Sequence, residues 1–167
     1  MKNHIKFVIP ILAVFAISSF QIADPATSYN HSEIASSDST VFDADLAQKL
    51  GADEYGMRSY VMAFLKIGPN RDFDADTARE IQAGHMAHIH KMSDDGKLIL
   101  AGPFLDRGEI RGIFLFNVAT VEEARELTAQ DPAIQAGSLV MELHPWYGSA
   151  ALLTIPEVHN SITKIRP

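Results

Sequence analysis

The apolar segments of this 167-residue chain predict a small α+β domain of the order β-α-β-β-α-β. Three observations carry that prediction. Four short runs are rich in β-branched and aromatic residues. Two stretches have apolar residues at helical spacing between the first and second runs and between the third and fourth. Asp106-Arg107-Gly108-Glu109 supplies a hairpin turn in the middle.

Tyr60-Val61-Met62-Ala63-Phe64-Leu65 reads as the first strand, and Gly68-Pro69-Asn70 breaks it. A helix opens at Asp74, with Thr77 and Glu80 at capping-box spacing, and runs to about Ser93 before Asp94-Asp95-Gly96 stops it. Leu98-Ile99-Leu100-Ala101 is the second strand, and Gly112 to Val118 the third, nearly all apolar. Thr120 caps the second helix, with Glu123 three residues on, and Asp131-Pro132 ends it. Leu139-Val140-Met141-Glu142-Leu143 is the last strand. This is the ferredoxin-like motif, a four-stranded antiparallel sheet with two helices on one face. The other face is then bare. The third strand carries Phe114 and Phe116 on one side and Ile113 and Leu115 on the other, so both faces call for burial. A homodimer through the sheets satisfies that demand; cover by the N-terminal segment of the same chain is the alternative.

Residues 1–23 have the layout of a secretory signal peptide. Lys2 and Lys6 form a positive start, and Phe7 to Phe20 is a mainly apolar run, shorter than the roughly 20 residues that span a bilayer. A periplasmic or secreted protein is expected, with no stable membrane span once the signal is removed. Removal would take the formal charge from −7 to −9, since the two lysines are the leader's only charges. Such an acidic surface repels phosphate backbones, so no nucleic-acid partner is expected. Cysteine is absent, which excludes disulfides and thiol chemistry. Residues 24–56 read as a flexible polar segment with one possible short helix (Phe42, Leu46, Leu50, then Gly51 as a stop), 57–148 as the domain, and 149–167 as a C-terminal tail.

The chemistry centres on the first helix. At 100° per residue, Ile81, His85, His88, Ile89 and Met92 fall within about 100° of one another, whereas His90 points away. His85 and His88 therefore sit on the stripe that packs on the sheet. One reading is a core-edge histidine satisfied by a backbone carbonyl. Another is a metal site using the i, i+3 pair with His144 or Asp131. A third pairs His85 with Asp131, which stands at the end of the second helix, where a carboxylate opposes the macrodipole and asks for a donor. That is acid–base equipment without a nucleophile. There is no Gly-x-Ser-x-Gly elbow, phosphate-binding loop or dinucleotide fingerprint, so no cofactor is expected and proton transfer on a small-molecule ligand fits best. Trp146, the only tryptophan, reads as packing or as a pocket wall, and Arg111 as a strand-end residue or a site cation.

The run from His85 to Phe104, with Gly96-Lys97-Leu98 and Ala101-Gly102-Pro103-Phe104, resembles the YCII-related (YciI-like) family. So do Val121 to Arg125, Asp131-Pro132 with Ala136-Gly137, and the ending His144-Pro145-Trp146. The resemblance covers about residues 60–147. It implies a dimeric α+β barrel of ferredoxin-like protomers, similar to muconolactone isomerase and related small enzymes. It also implies a His/Asp active site falling on His85 and Asp131. The ligand pocket would lie between helices and sheet, near Gly102, Pro103 and Phe104, with His88 and Trp146 as further candidates. Many members carry Arg-Pro-Ala-His where this chain has Gln82-Ala83-Gly84-His85, so the arginine that would bind an anion there is missing. A lyase or isomerase is the expected class, with a non-catalytic ligand-binding or metal-binding module as the alternative.

Overall fold

The computed structural model describes residues 42–106 and 108–165; the expected leader and most of the polar segment after it lie outside the described residues. Helix α1 (Ala44–Leu50) is capped by Asp43, whose carboxylate accepts from the Leu46 amide, and ends at Gly51 with φ 61°. This is the short helix expected in that region, with glycine supplying the left-handed stop.

Strand β1 (Met57–Ile67) leads into helix α2 (Ala75–Asp94) and strand β2 (Leu98–Pro103). Strand β3 (Ile110–Phe116) is followed by α3 (Val121–Thr128), the short α4 (Pro132–Gln135) and strand β4 (Leu139–Ser149). The strands form one antiparallel sheet in the order β2-β3-β1-β4, the expected ferredoxin-like topology. Strand β4 is longer than its apolar pattern suggested, continuing through Pro145 to Ser149 opposite Met57. As an edge strand it tolerates a proline.

Alternation along β1 sorts the two faces. Val61, Ala63 and Leu65, with Phe114 and Phe116 of β3, pack under Met92 of α2 and Ala124 of α3 to make the main core. Tyr60 and Leu115 point to the far face with Ile99, where Leu152, Leu153 and Ile155 cover them. Those three belong to a 3-10 turn (Ala150–Thr154) and helix α5 (Ile155–Ile162), so the expected tail folds back on the sheet. Among the described residues, the bare face expected from the sequence is thus partly filled by the C-terminal segment. The helix is short and carries Pro156 in its first turn, which left it little periodicity to read. Nearer Lys66, Phe64 and Ile113 remain half-buried and Val140 is exposed.

Capping differs from expectation at two points. Helix α2 is capped one turn earlier than Thr77: Asp74 accepts from the amides of Asp76 and Thr77 and from the Thr77 hydroxyl at 2.8 Å. A carboxylate gains there from the helix dipole, which a hydroxyl does not. Asp131 does not hang at the end of α3; it is the N-cap of α4, with Pro132 in the first turn. The dipole therefore favours this carboxylate.

Candidate functional site

Helix α2 lays its apolar stripe on the sheet and brings His85 and His88 inside with it, 7% and 9% exposed. The two rings then diverge. His88 turns toward α3, where its Nε2 bonds the Leu127 carbonyl at 2.9 Å. His85 stacks on Phe114, with ring centroids 6.1 Å apart and planes 17° apart, and its Nδ1 lies 2.7 Å from Asp131 Oδ2.

Asp131 is fully buried, and each of its carboxylate oxygens has a partner. Oδ1 accepts from the Ala133 amide at 2.8 Å, and Oδ2 faces His85. An ionised carboxylate only accepts hydrogen bonds, so the His85 nitrogen facing it is the protonated one, and in the neutral ring Nε2 carries the lone pair. The N-cap bond fixes Asp131, and Asp131 fixes the imidazole.

Close approach of two helices makes this contact possible. A Cβ at Gly84 would meet Pro132 Cγ at 2.9 Å, so α2 and α4 touch at Gly84 and Pro132. Each of those residues is the chain neighbour of one member of the pair. The departure at Gln82-Ala83-Gly84-His85 thus has a local consequence.

His85 also forms part of the wall of a cleft of about 760 Å³ that runs between α2 and the edge strand β2. That volume lies within the usual range for small-molecule sites. Ile81, Met86 and Ile89 line it from α2, Phe114 from the sheet, and Gly102 and Pro103 from β2. The cleft continues past the β2 edge to α5, which presents Pro156, His159 and Asn160. With Nδ1 engaged by Asp131, Nε2 is the nitrogen of His85 left for a ligand.

Four sequence-selected residues therefore meet: His85 and Asp131 in contact, with Gly102 and Pro103 across the cleft. Three others lie elsewhere. His88 is tied to α3, and Phe104 is exposed outside the cleft wall. Trp146 shares the far face with Tyr60, their ring centroids 5.8 Å apart, and its ring fills the space a Cβ at Gly148 would need. It packs, as the first of its two readings held. Because His85 and His88 point to different partners, they do not converge; among the described residues no three His, Cys, Asp or Glu side chains form a metal-binding group. Sequence reasoning did not select Arg71 or Asn160, and it set His90 aside as pointing away from the sheet and His159 as lying in the tail; all four line the cleft. Only the α5 spacing Pro156, His159, Asn160, Thr163, one face of a helix, signalled any of them.

No curated protein matches the chain. In structure it is similar to the 5-chloro-2-hydroxyhydroquinone dehydrochlorinase of Burkholderia phenoliruptrix, solved in complex with 2,5-dihydroxybenzoquinone. The likeness has a TM-score of 0.40 at 16% identity, covering 52% of this chain and 92% of that one. The family model that matches is that of the YCII-related domain, over residues 61–147. The ferredoxin-like sheet and that match agree: this chain belongs to the YCII-related domain family.

Proposed function

We propose that the domain catalyses proton transfer on a small organic ligand, as a lyase or isomerase, with His85 as general acid/base and Asp131 as its positioning residue. The observation that carries this reading is the 2.7 Å contact from His85 Nδ1 to a fully buried carboxylate, made by a histidine on a cleft wall. Neutral His85 takes a proton through Nε2 from a carbon next to a carbonyl, or from a hydroxyl. The imidazolium is stabilised by Asp131 while the ligand holds the electron pair as an enolate. Returning the proton to another carbon isomerises the ligand; expelling a β-substituent, with the proton delivered to it, is elimination. Either way His85 ends neutral, and no redox partner is needed.

The test is hydrogen–deuterium exchange by the full chain into a panel of carbonyl compounds with acidic C–H bonds, followed by proton NMR. Exchange on one of them should fall by about 10²–10⁴ in His85→Gln, with a smaller loss in Asp131→Asn. Exchange undiminished in both variants would overturn the assignment. A non-catalytic ligand-binding module is the second reading, favoured by the size of the cleft alone; ligand binding without exchange, unchanged in His85→Gln, would select it.

Two further parts of the reading concern assembly and place. The chain pairs with a second copy through the uncovered part of the far face, around Phe64, Ile113 and Val140; Phe64→Asp should convert a dimer to a monomer in sedimentation. The N-terminal segment directs export, which cell fractionation and the mass of the mature N-terminus would test. No helix among the described residues is long and apolar enough to cross a membrane.

A further inference from the structure

The cleft has a charge pattern opposite to that of the chain. The sequence holds 21 Asp and Glu against 14 Lys and Arg. Yet among the described residues no Asp or Glu lines the cleft, whereas Arg71, Arg111, His85, His90 and His159 do. Asp94 belongs to a smaller recess beyond Ser93, at the far end of α2. Asp131 is screened from the cleft behind His85.

The two arginines stand together at one end. Arg71 precedes α2 and reaches Ser138, next to Leu139 opposite Ile67, while Arg111 lies in the β3 irregularity opposite Leu65 and Lys66, so both belong to the end of the sheet where β1 finishes. Arg71 Nη1 donates to the Ser138 carbonyl at 3.2 Å, and Arg111 Nη1 reaches the Gly108 carbonyl at 3.5 Å. Among the described residues neither arginine makes an ion pair with a carboxylate. Each keeps further N–H donors free of those carbonyls, in the planar fork that matches a carboxylate. Much of the cleft wall is apolar, Phe73, Ile81, Met86 and Phe114 among its lining residues. Asp74 already occupies the α2 N-terminus, accepting from the amides of Asp76 and Thr77, so that end is closed to a phosphate.

We infer that the ligand is a small organic carboxylate with an apolar, ring-sized body, its carboxylate held by Arg71 and Arg111 and its body lying along α2 toward His85. This inference rests on the proposed reading of the cleft as the site and names the substrate class it takes. Binding the carboxylate at a fixed distance places the reacting carbon at Nε2, and the same positive end stabilises an enolate formed between them.

The test uses the full chain labelled with nitrogen-15 and three matched probes: 2-naphthoate, neutral 2-naphthamide and 2-naphthyl phosphate. Naphthoate should bind about tenfold or more tightly than the amide, shifting amide signals around Arg71, Arg111 and His85. Arg71→Gln combined with Arg111→Gln should remove that preference while leaving amide binding unchanged, and the paired lysine variants should keep part of it. The spectrum outside the cleft reports whether each variant is folded. Equal binding of naphthoate and naphthamide overturns the inference, as does a preference that survives loss of both arginines, or no binding of any probe at millimolar concentration. Tighter binding of the phosphate overturns the carboxylate assignment. Because this assay reads binding and not turnover, an arginine-dependent preference without any exchange chemistry would keep the carboxylate site and sink the catalytic reading, and the converse result would do the reverse.

Discussion

Two histidine–carboxylate pairs sit on opposite faces of one sheet at almost the same distance. On the helical face His85 Nδ1 is 2.7 Å from Asp131, with side chains 9% and 0% exposed. On the far face His144 Nε2 is 2.8 Å from Glu142, with side chains 49% and 47% exposed. Distance does not separate them; surroundings do. Asp131 has an amide on one oxygen and an imidazole on the other, and its full burial keeps it from bulk solvent. Glu142 shares its charge between Lys66 at 2.8 Å and His144, with solvent ready to substitute for both. A buried pair is fixed in geometry and costly to break, whereas an exposed one is adjustable and cheap. The first borders the cleft between α2 and β2.

The sharpest way to break that contrast is Asp131→Ala. It removes the α4 cap and strands His85 Nδ1, and should cost about 3 kcal/mol in urea unfolding. Asp131→Asn keeps a side-chain oxygen for the Ala133 amide and should cost about half as much. Next comes Leu152→Ala, which thins the C-terminal cover over Tyr60 and Leu115; about 2 kcal/mol is expected because Leu152 is only partly buried. Gly84→Ala is subtler. The methyl gains about 1 kcal/mol of helix propensity but collides with Pro132, so the unfolding midpoint should move little. The α2–α4 contact should open instead, and the Nδ1–H proton signal of His85 should disappear. If that signal persists unchanged, Gly84 does not set the pair.

The smallest effect is expected on the far face. Glu142→Gln should lower the unfolding midpoint only slightly at neutral pH, as expected for an exposed pair. The Lys66 ammonium, hydrogen-bonded to Glu142, holds its carboxyl below the ordinary value, with His144 adding to the effect. A lowered folded pKa means the contribution is present above the unfolded value of 4.5 and is lost as pH falls through the folded one. Stability difference between wild type and Glu142→Gln should therefore shrink below pH 4.5 and be flat above it; a difference that grows on acidification would contradict the sign.

Much of the fold was legible because its signals are local. Alternation in β1, the His85–Met92 stripe and the Thr120 cap each depend on residues a few positions apart, and each appears where expected. The strands' ends were not legible: β4 runs on through Pro145-Trp146 because β1 lies beside it, not because its own pattern continues. The candidate site was half legible. That His85 faces inward followed from periodicity, but so did His88, and nothing local distinguishes a ring bonded to Leu127 from one bonded to Asp131. The arginines and α5 were invisible as a group, since they come from three separate parts of the chain.

The sequence by itself determined the order of the elements, the face of α2 that goes inside and the absence of thiol chemistry. Periodicity, capping and composition act over one or two turns and need no partner. The tertiary structure alone decided which carboxylate meets His85, what covers the far face and where the positive charge of an acidic chain collects. His85 and Asp131 are 46 residues apart, and their contact exists because a glycine lets α2 settle against Pro132. Contacts across such separations are set by packing, which no local pattern of residues encodes.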